Sequence, residues 1–275
     1  MGAFSISDGK NNFYFSTFFV KAVSSNKIIG TEHWSWALST CGVIVAILAP
    51  ILGSISDKAH RRKPWIFVLM MITVIATALL YFTQPNPSWV WWAVIFYIIA
   101  NVSYECAQVF YNALMIGIAP NSKIGRLSGW GWGTGYIGGI ICLFIALYFV
   151  KGSLIPKVDS IDVRATCLLA SAWFLVFGLP LFFFTPDLMI TKSTKSIGRV
   201  IREGLVSLWE TLKEAKKNKY VFLYLIAHLV YADGLNTLFT FGGIYAAGQF
   251  NMSFVNILYF GICMNITAGI GSDSV

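Results

Sequence analysis

The chain has 275 residues, of which 57% are hydrophobic and only 12% charged, with a net charge of +8. A soluble domain carries roughly a quarter charged residues, so this composition excludes an ordinary water-soluble globular protein. The positive charge does not mark a nucleic-acid binder either, because the basic residues sit in loops between apolar runs, a topology signal rather than a binding face.

A transmembrane helix needs roughly 20 apolar residues. Eight segments approach or meet that length: 4–24, 34–53, 65–83, 89–116, 127–150, 164–185, 220–247 and 252–271. The first is continuously apolar only from Phe13 to Val20 and follows Asp8, Lys10, Asn11 and Asn12, so it reads as a span or as an interfacial segment. The polar opening, with no small-residue cleavage site after it, does not have the pattern of a cleavable signal.

Between the second and third spans runs Gly53-Ser-Ile-Ser-Asp57-Lys58-Ala-His60-Arg61-Arg62-Lys63-Pro64. Loop charge alone explains its cations but not Gly53 or Asp57. Asp57, Arg61 and Arg62 are placed to brace neighbouring helix ends through charge-assisted contacts. The turn Gln84 to Ser88 is uncharged and reads as a plain reversal.

The fourth span carries Asn101, Glu105, Gln108 and Asn112, spaced by four, three and four residues, which is one polar stripe on an otherwise apolar helix. Such a stripe reads either as interhelical hydrogen bonding or as a binding and proton-carrying surface. Low dielectric favours the neutral form of a carboxyl, so Glu105 is the candidate proton carrier. In the fifth span Gly131, Gly135 and Gly139 recur every four residues, a spacing that lets helices approach closely. The segment 186–219 places Ile197, Val200, Ile201, Leu205, Leu208, Trp209 and Leu212 at helical spacing, with Arg199, Arg202, Lys213, Lys216 and Lys217 largely off that stripe. It reads as an amphipathic helix on the membrane surface. The seventh span holds Asp233 and Asn236 on one face with Gly234 between them, a pair suited to a substrate's amino group. His228 lies off that face and reads as a packing histidine.

Loops 54–64, 117–126 and 186–219 hold fourteen Lys/Arg against five in the alternate loops, which puts the first set in the cytoplasm. Ionisable residues within spans cost about 2.5–3.5 kcal/mol each at mid-membrane on insertion scales, so Asp8, Lys10, Glu105 and Asp233 are functional candidates. The five cysteines are dispersed without a CxxC and read as small buried hydrophobes, with neither metal nor disulfide expected. No HExxH, GxSxG or Walker A pattern appears, and the histidines are only His33, His60 and His228. Nothing argues for an enzyme, and no cofactor is expected.

The pattern G-x-x-x-D-[RK]-x-x-R-[RK] from Gly53 to Arg62 resembles the signature between helices 2 and 3 of major facilitator transporters. Tyr111 to Pro120, Ile124 to Gly139, Tyr231 to Gly248 and Asn265 to Gly271 resemble the vacuole-effluxer family within that superfamily, relatives of the autophagy-related vacuolar amino-acid exporter. In that family helix 1 opens with an aromatic-rich stretch around an Asp and an Asn. Asp8 and Asn11 fit, while Gly9 and Lys10 replace apolar residues; no second copy of the Gly–Asp–Arg loop follows the eighth span.

The resemblance implies an all-α polytopic bundle of the major facilitator fold, with helices 1, 4 and 7 lining a central cavity. Residues 1–185 would be a six-helix half, 186–219 a basic linker and 220–275 the start of a second half, with four further helices expected. The implied function is secondary transport of small solutes by alternating access, amino acids first and a proton as the coupled partner. The alternatives are another solute (sugar, peptide or drug) or a non-transporting membrane protein. A monomer in a bacterial inner membrane is expected, with a vacuolar membrane as the alternative.

Overall fold

The computed structural model describes residues 15–58, 61–118, 121–152, 155–156, 158–186 and 197–273. Every regular element among them is helical. Helix α1 occupies residues 15–23, one α-helical turn passing into a π-helical stretch at Phe19–Val23 that ends with Ser24 N–H donating to the Phe19 carbonyl, 3.0 Å. The described part of the first predicted span is therefore packed inside the bundle, with Phe18, Phe19 and Val23 buried, rather than lying flat at an interface. Residues 4–14 of that span, including Asp8, Lys10 and Asn11, lie outside the described residues.

Five long helices follow the predicted spans. These are α2 (Lys27–Lys58), α3 (Lys63–Leu79), α4 (Val90–Ile118), α5 (Ile124–Lys151) and α6 (Ile161–Gly178). The last continues after Leu179 as α7 (Pro180–Phe184), since Pro180 has no N–H to carry the helical ladder through. Each of these five spanning units is long and apolar enough to cross a membrane. Helix α2 starts well before its apolar run because Asn26 caps it, its side-chain carbonyl accepting from Ile28 N–H at 3.1 Å. Beyond them come α8 (Ile197–Lys217), α9 (Lys219–Gln249) and α10 (Phe254–Asp273). Asn218 caps α9 by accepting from Tyr220 and Val221, and Ser253 caps α10 by accepting from Asn256.

The helices pack as two layers of contact. At the end that carries the α2–α3 loop, Ile66, Met70 and Val74 of α3 meet Tyr104, Ala107, Phe110 and Leu114 of α4 and Phe174 of α6. Helix α6 comes close to α3 because Gly178 has no side chain: a Cβ there would stand 2.7 Å from Met70 Sδ. At the opposite end, a larger cluster joins α1, α2, α4, α5 and α6 to Ala247 of α9 and to Ile257, Leu258 and Ile262 of α10. This second cluster spans the linker, tying the helices before residue 186 to those after it. Helix α5, in which Gly135 and Gly139 are buried and Gly131 half-buried, packs on both α6 and α10, as close-approach glycines allow.

Candidate functional site

The polar stripe of α4 lies along a helix held on two sides, by α2 and α3. Asn101, Glu105 and Gln108 are half-buried and Asn112, nearer the C-terminal end of α4, is exposed. Gln108 donates its amide to the Tyr104 hydroxyl at 2.7 Å, and Tyr104 is itself buried against Phe174 of α6. Glu105 is near enough to Cys41 of α2, and to Cys106 beside it, to act on both electrostatically. One turn toward the exterior the stripe gives way to aromatics. Tyr97 and Trp34 pack with centroids 4.3 Å apart and rings tilted by 39°, and Phe15 and Phe19 of α1 close on Trp34 at 6.1 and 5.4 Å. The stripe thus has an apolar ceiling at its outer end, made where α1, α2 and α4 converge.

That outer end is also latched by polar bonds. Lys21 on α1 donates to the Met252 carbonyl in the α9–α10 turn at 3.0 Å, across 231 residues of sequence. Arg164 of α6 donates from Nε to the Tyr81 carbonyl at 2.6 Å and lies over the Tyr81 ring. In sequence both cations appear only as loop charge, because their acceptors are backbone carbonyls that no side-chain pattern reveals. The turn after α3 is built as the sequence suggests, with Asn86 accepting from Ser88 N–H at 3.0 Å.

The basic loop between α2 and α3 is structural glue of a specific kind. Arg62 is buried, donates from Nε to the Ser56 carbonyl at 3.1 Å and from Nη1 to the Ala113 carbonyl at 2.8 Å. One guanidinium therefore ties the last turn of α2, where helix carbonyls lack intrahelical donors and the helix dipole is negative, to a carbonyl in the C-terminal part of α4. Lys63 does the same for α7, donating to the Phe182 carbonyl at 3.0 Å. Arg61 is exposed. A Cβ at Gly53 would stand 4.0 Å from Val109 Cγ1 on α4, ordinary van der Waals contact. The side chain of Asp57 lies outside the described residues.

On α9, Asp233 is exposed, as are nearly all the residues from Tyr220 to Leu235, and a Cβ at Gly234 would meet nothing within 4 Å among the described residues. Helix α9 packs on α8 and α10, so the structure does not gather Asp233 against the α4 stripe. Asn236 has its side chain outside the described residues, and His228 is exposed and stacked on Tyr224, centroids 6.0 Å apart.

Comparison with known proteins agrees with this architecture. The family model described as "Vacuole effluxer Atg22 like" matches residues 31–124 and 119–275. The chain is 27% identical over 220 residues to the "Uncharacterized MFS-type transporter YxiO" of Bacillus subtilis, covering 79% of this chain and 50% of that protein. It is 26% identical over 187 residues to Autophagy-related protein 22 of Yarrowia lipolytica, covering 61% and 31%, and 22% identical over 267 residues to its counterpart in Saccharomyces cerevisiae (S288c), covering 84% and 49%. The chain thus spans about half or less of the length of these relatives. No solved structure matches. With helices of spanning length in the predicted order and a family match over most of its residues, the chain is an integral, multi-pass membrane protein of the major facilitator fold and belongs to the Atg22-like vacuole effluxer family.

Proposed function

We propose that the protein is a secondary transporter of small solutes, with amino acids as the substrate class and a proton as the coupled ion. In this reading residues 1–185 form one six-helix half, 186–219 the cytoplasmic linker and 220–275 the beginning of the second half. The observation that carries it is the half-buried run Asn101–Glu105–Gln108 on α4. Interhelical glue needs only neutral hydrogen-bonding groups; a carboxyl held there is a group that can load and release a proton. The names of the relatives support transport, one being an MFS-type transporter. Asp233 on α9, with Asn236, is proposed to meet the solute's ammonium group, and Asp8 and Asn11 to contribute from the first helix.

The inside of the Gly53–Lys63 loop is proposed to brace the cytoplasmic face during alternating access, using the Arg62 and Lys63 contacts with helix ends. The test is counterflow in proteoliposomes of the purified chain, loaded in turn with amino acids, sugars and short peptides. Exchange of labelled amino acids above empty liposomes, reduced at least tenfold by Asn101→Ala with Gln108→Ala, supports the reading. Exchange of sugars or peptides alone would replace the substrate class, and no exchange of any solute would refute transport by this chain.

A further inference from the structure

Helix α8 sorts its side chains by charge around its circumference. At about 100° per residue, Lys216, Trp209, Arg202, Lys213, Val206 and Lys217 fall within one arc of about 100°, beside the apolar face. Glu210 and Glu214 fall in the next arc. Same-sign residues consequently stack four apart, as Glu210 with Glu214 and Lys213 with Lys217, a mutually repulsive spacing on a helix surface. Opposite charges meet only along the border of the two arcs, as Glu210 with Lys213 and Glu214 with Lys217, three apart.

The structure fixes which way this helix faces. Gly204, on the apolar side, abuts Ser54 near the cytoplasmic end of α2, where a Cβ would overlap Ser54 Oγ. Ser54 in turn donates its hydroxyl to the Pro50 carbonyl at 2.9 Å. With that side docked on α2, the basic sector points away from the bundle. Arg202, Lys213, Lys216 and Lys217 are all exposed, and Trp209 is 61% exposed with the Lys213 ammonium 5.5 Å over its ring. An exposed indole amid four cations, next to an apolar strip, matches the headgroup layer of a bilayer, where tryptophan concentrates. The loop charges put α8 on the cytoplasmic side, and the lipids of that leaflet carry negative charge.

We propose that the Arg202, Trp209, Lys213, Lys216 and Lys217 sector of α8 is a binding surface for anionic phospholipid headgroups. Through the Gly204–Ser54 contact it anchors the end of α2 to the bilayer surface. The acidic arc, carrying Glu210 and Glu214, turns toward water.

The test reconstitutes the full chain in vesicles of equal phosphatidylcholine and phosphatidylglycerol, extracts it into mild detergent and counts retained lipids by mass spectrometry. The expected result is at least fivefold enrichment of phosphatidylglycerol, eroded by high salt. A variant combining Arg202→Gln, Lys213→Gln, Lys216→Gln and Lys217→Gln should fall to within twofold of parity. Trp209→Ala, which leaves the charge unchanged and guards against a folding artefact in the first variant, should lower retention severalfold with helical content intact. Equal retention of the two lipids by the native chain would overturn the proposal. So would enrichment that both variants keep, or salt-sensitive binding of soluble polyglutamate without any lipid preference.

Discussion

Arg62 shows how much one side chain holds together. Its two described bonds go to carbonyls of different helices, Ser56 and Ala113, and it is buried. Hydrogen bonds from a charged donor contribute about 1.5–3 kcal/mol each, and leaving their acceptors unsatisfied adds a penalty. Arg62→Ala should therefore destabilise the purified protein by about 3 kcal/mol, read as a lowered melting temperature. Arg62→Lys should recover only part of this, because an ammonium cannot span two acceptors as a planar fork does. A full rescue by lysine would show that charge, not geometry, matters there. The sequence exposes Arg62 as part of a motif and predicts contact with helix ends, yet it cannot name Ala113, which is 51 residues away. Lys21 was equally opaque: only the fold brings Met252 to it. Lys21→Met should loosen the outer end, seen as faster hydrogen exchange of the amides from Phe250 to Leu258; unchanged exchange would mean that the apolar cluster alone keeps it shut.

At the scale of elements, the helices were legible because their signals are local. Apolar length marks the spans, while the caps Asn26, Asn218 and Ser253 and the break at Pro180 set ends that apolar length alone does not reveal. The stripe of α4 was equally readable, since residues spaced by three and four share a face whatever surrounds them. What those faces touch depends on register between helices, which no single segment contains. Gly204 illustrates the difference. Within α8 it looks like a weak point, since glycine lowers helix stability, whereas its place against Ser54 makes it a docking surface. Gly204→Val should push α8 off α2 at a cost of about 1–3 kcal/mol, the usual range for overpacking. Loss of a crosslink between cysteines placed at positions 54 and 205 would report that separation, while an unchanged crosslink would mean the contact yields without moving the helix.

For the whole molecule, the two ends of the bundle differ in how the chain's two parts meet. The end opposite the α2–α3 loop has an apolar cluster joining α1, α2, α4, α5 and α6 to α9 and α10, with Trp34 and Tyr97 inside it and Lys21 as a latch. The end that carries the α2–α3 loop has a cluster confined to α3, α4 and α6 with their neighbours, and there the linker helix α8 packs on α2. The α4 stripe lies between these ends, beneath the aromatic ceiling. The exposure of Asp233 was not foreseeable from its sequence position, because the apolar character of α9 says that it is a span but not which helices cover it. The central claim is that Glu105 carries the coupled proton. The direct measurement is amino-acid uptake into proteoliposomes driven by an imposed pH gradient, compared with counterflow at equal pH, for the native chain and Glu105→Gln. The account predicts that the variant loses gradient-driven uptake by at least tenfold while retaining counterflow. Gradient-driven uptake that survives in Glu105→Gln would contradict it.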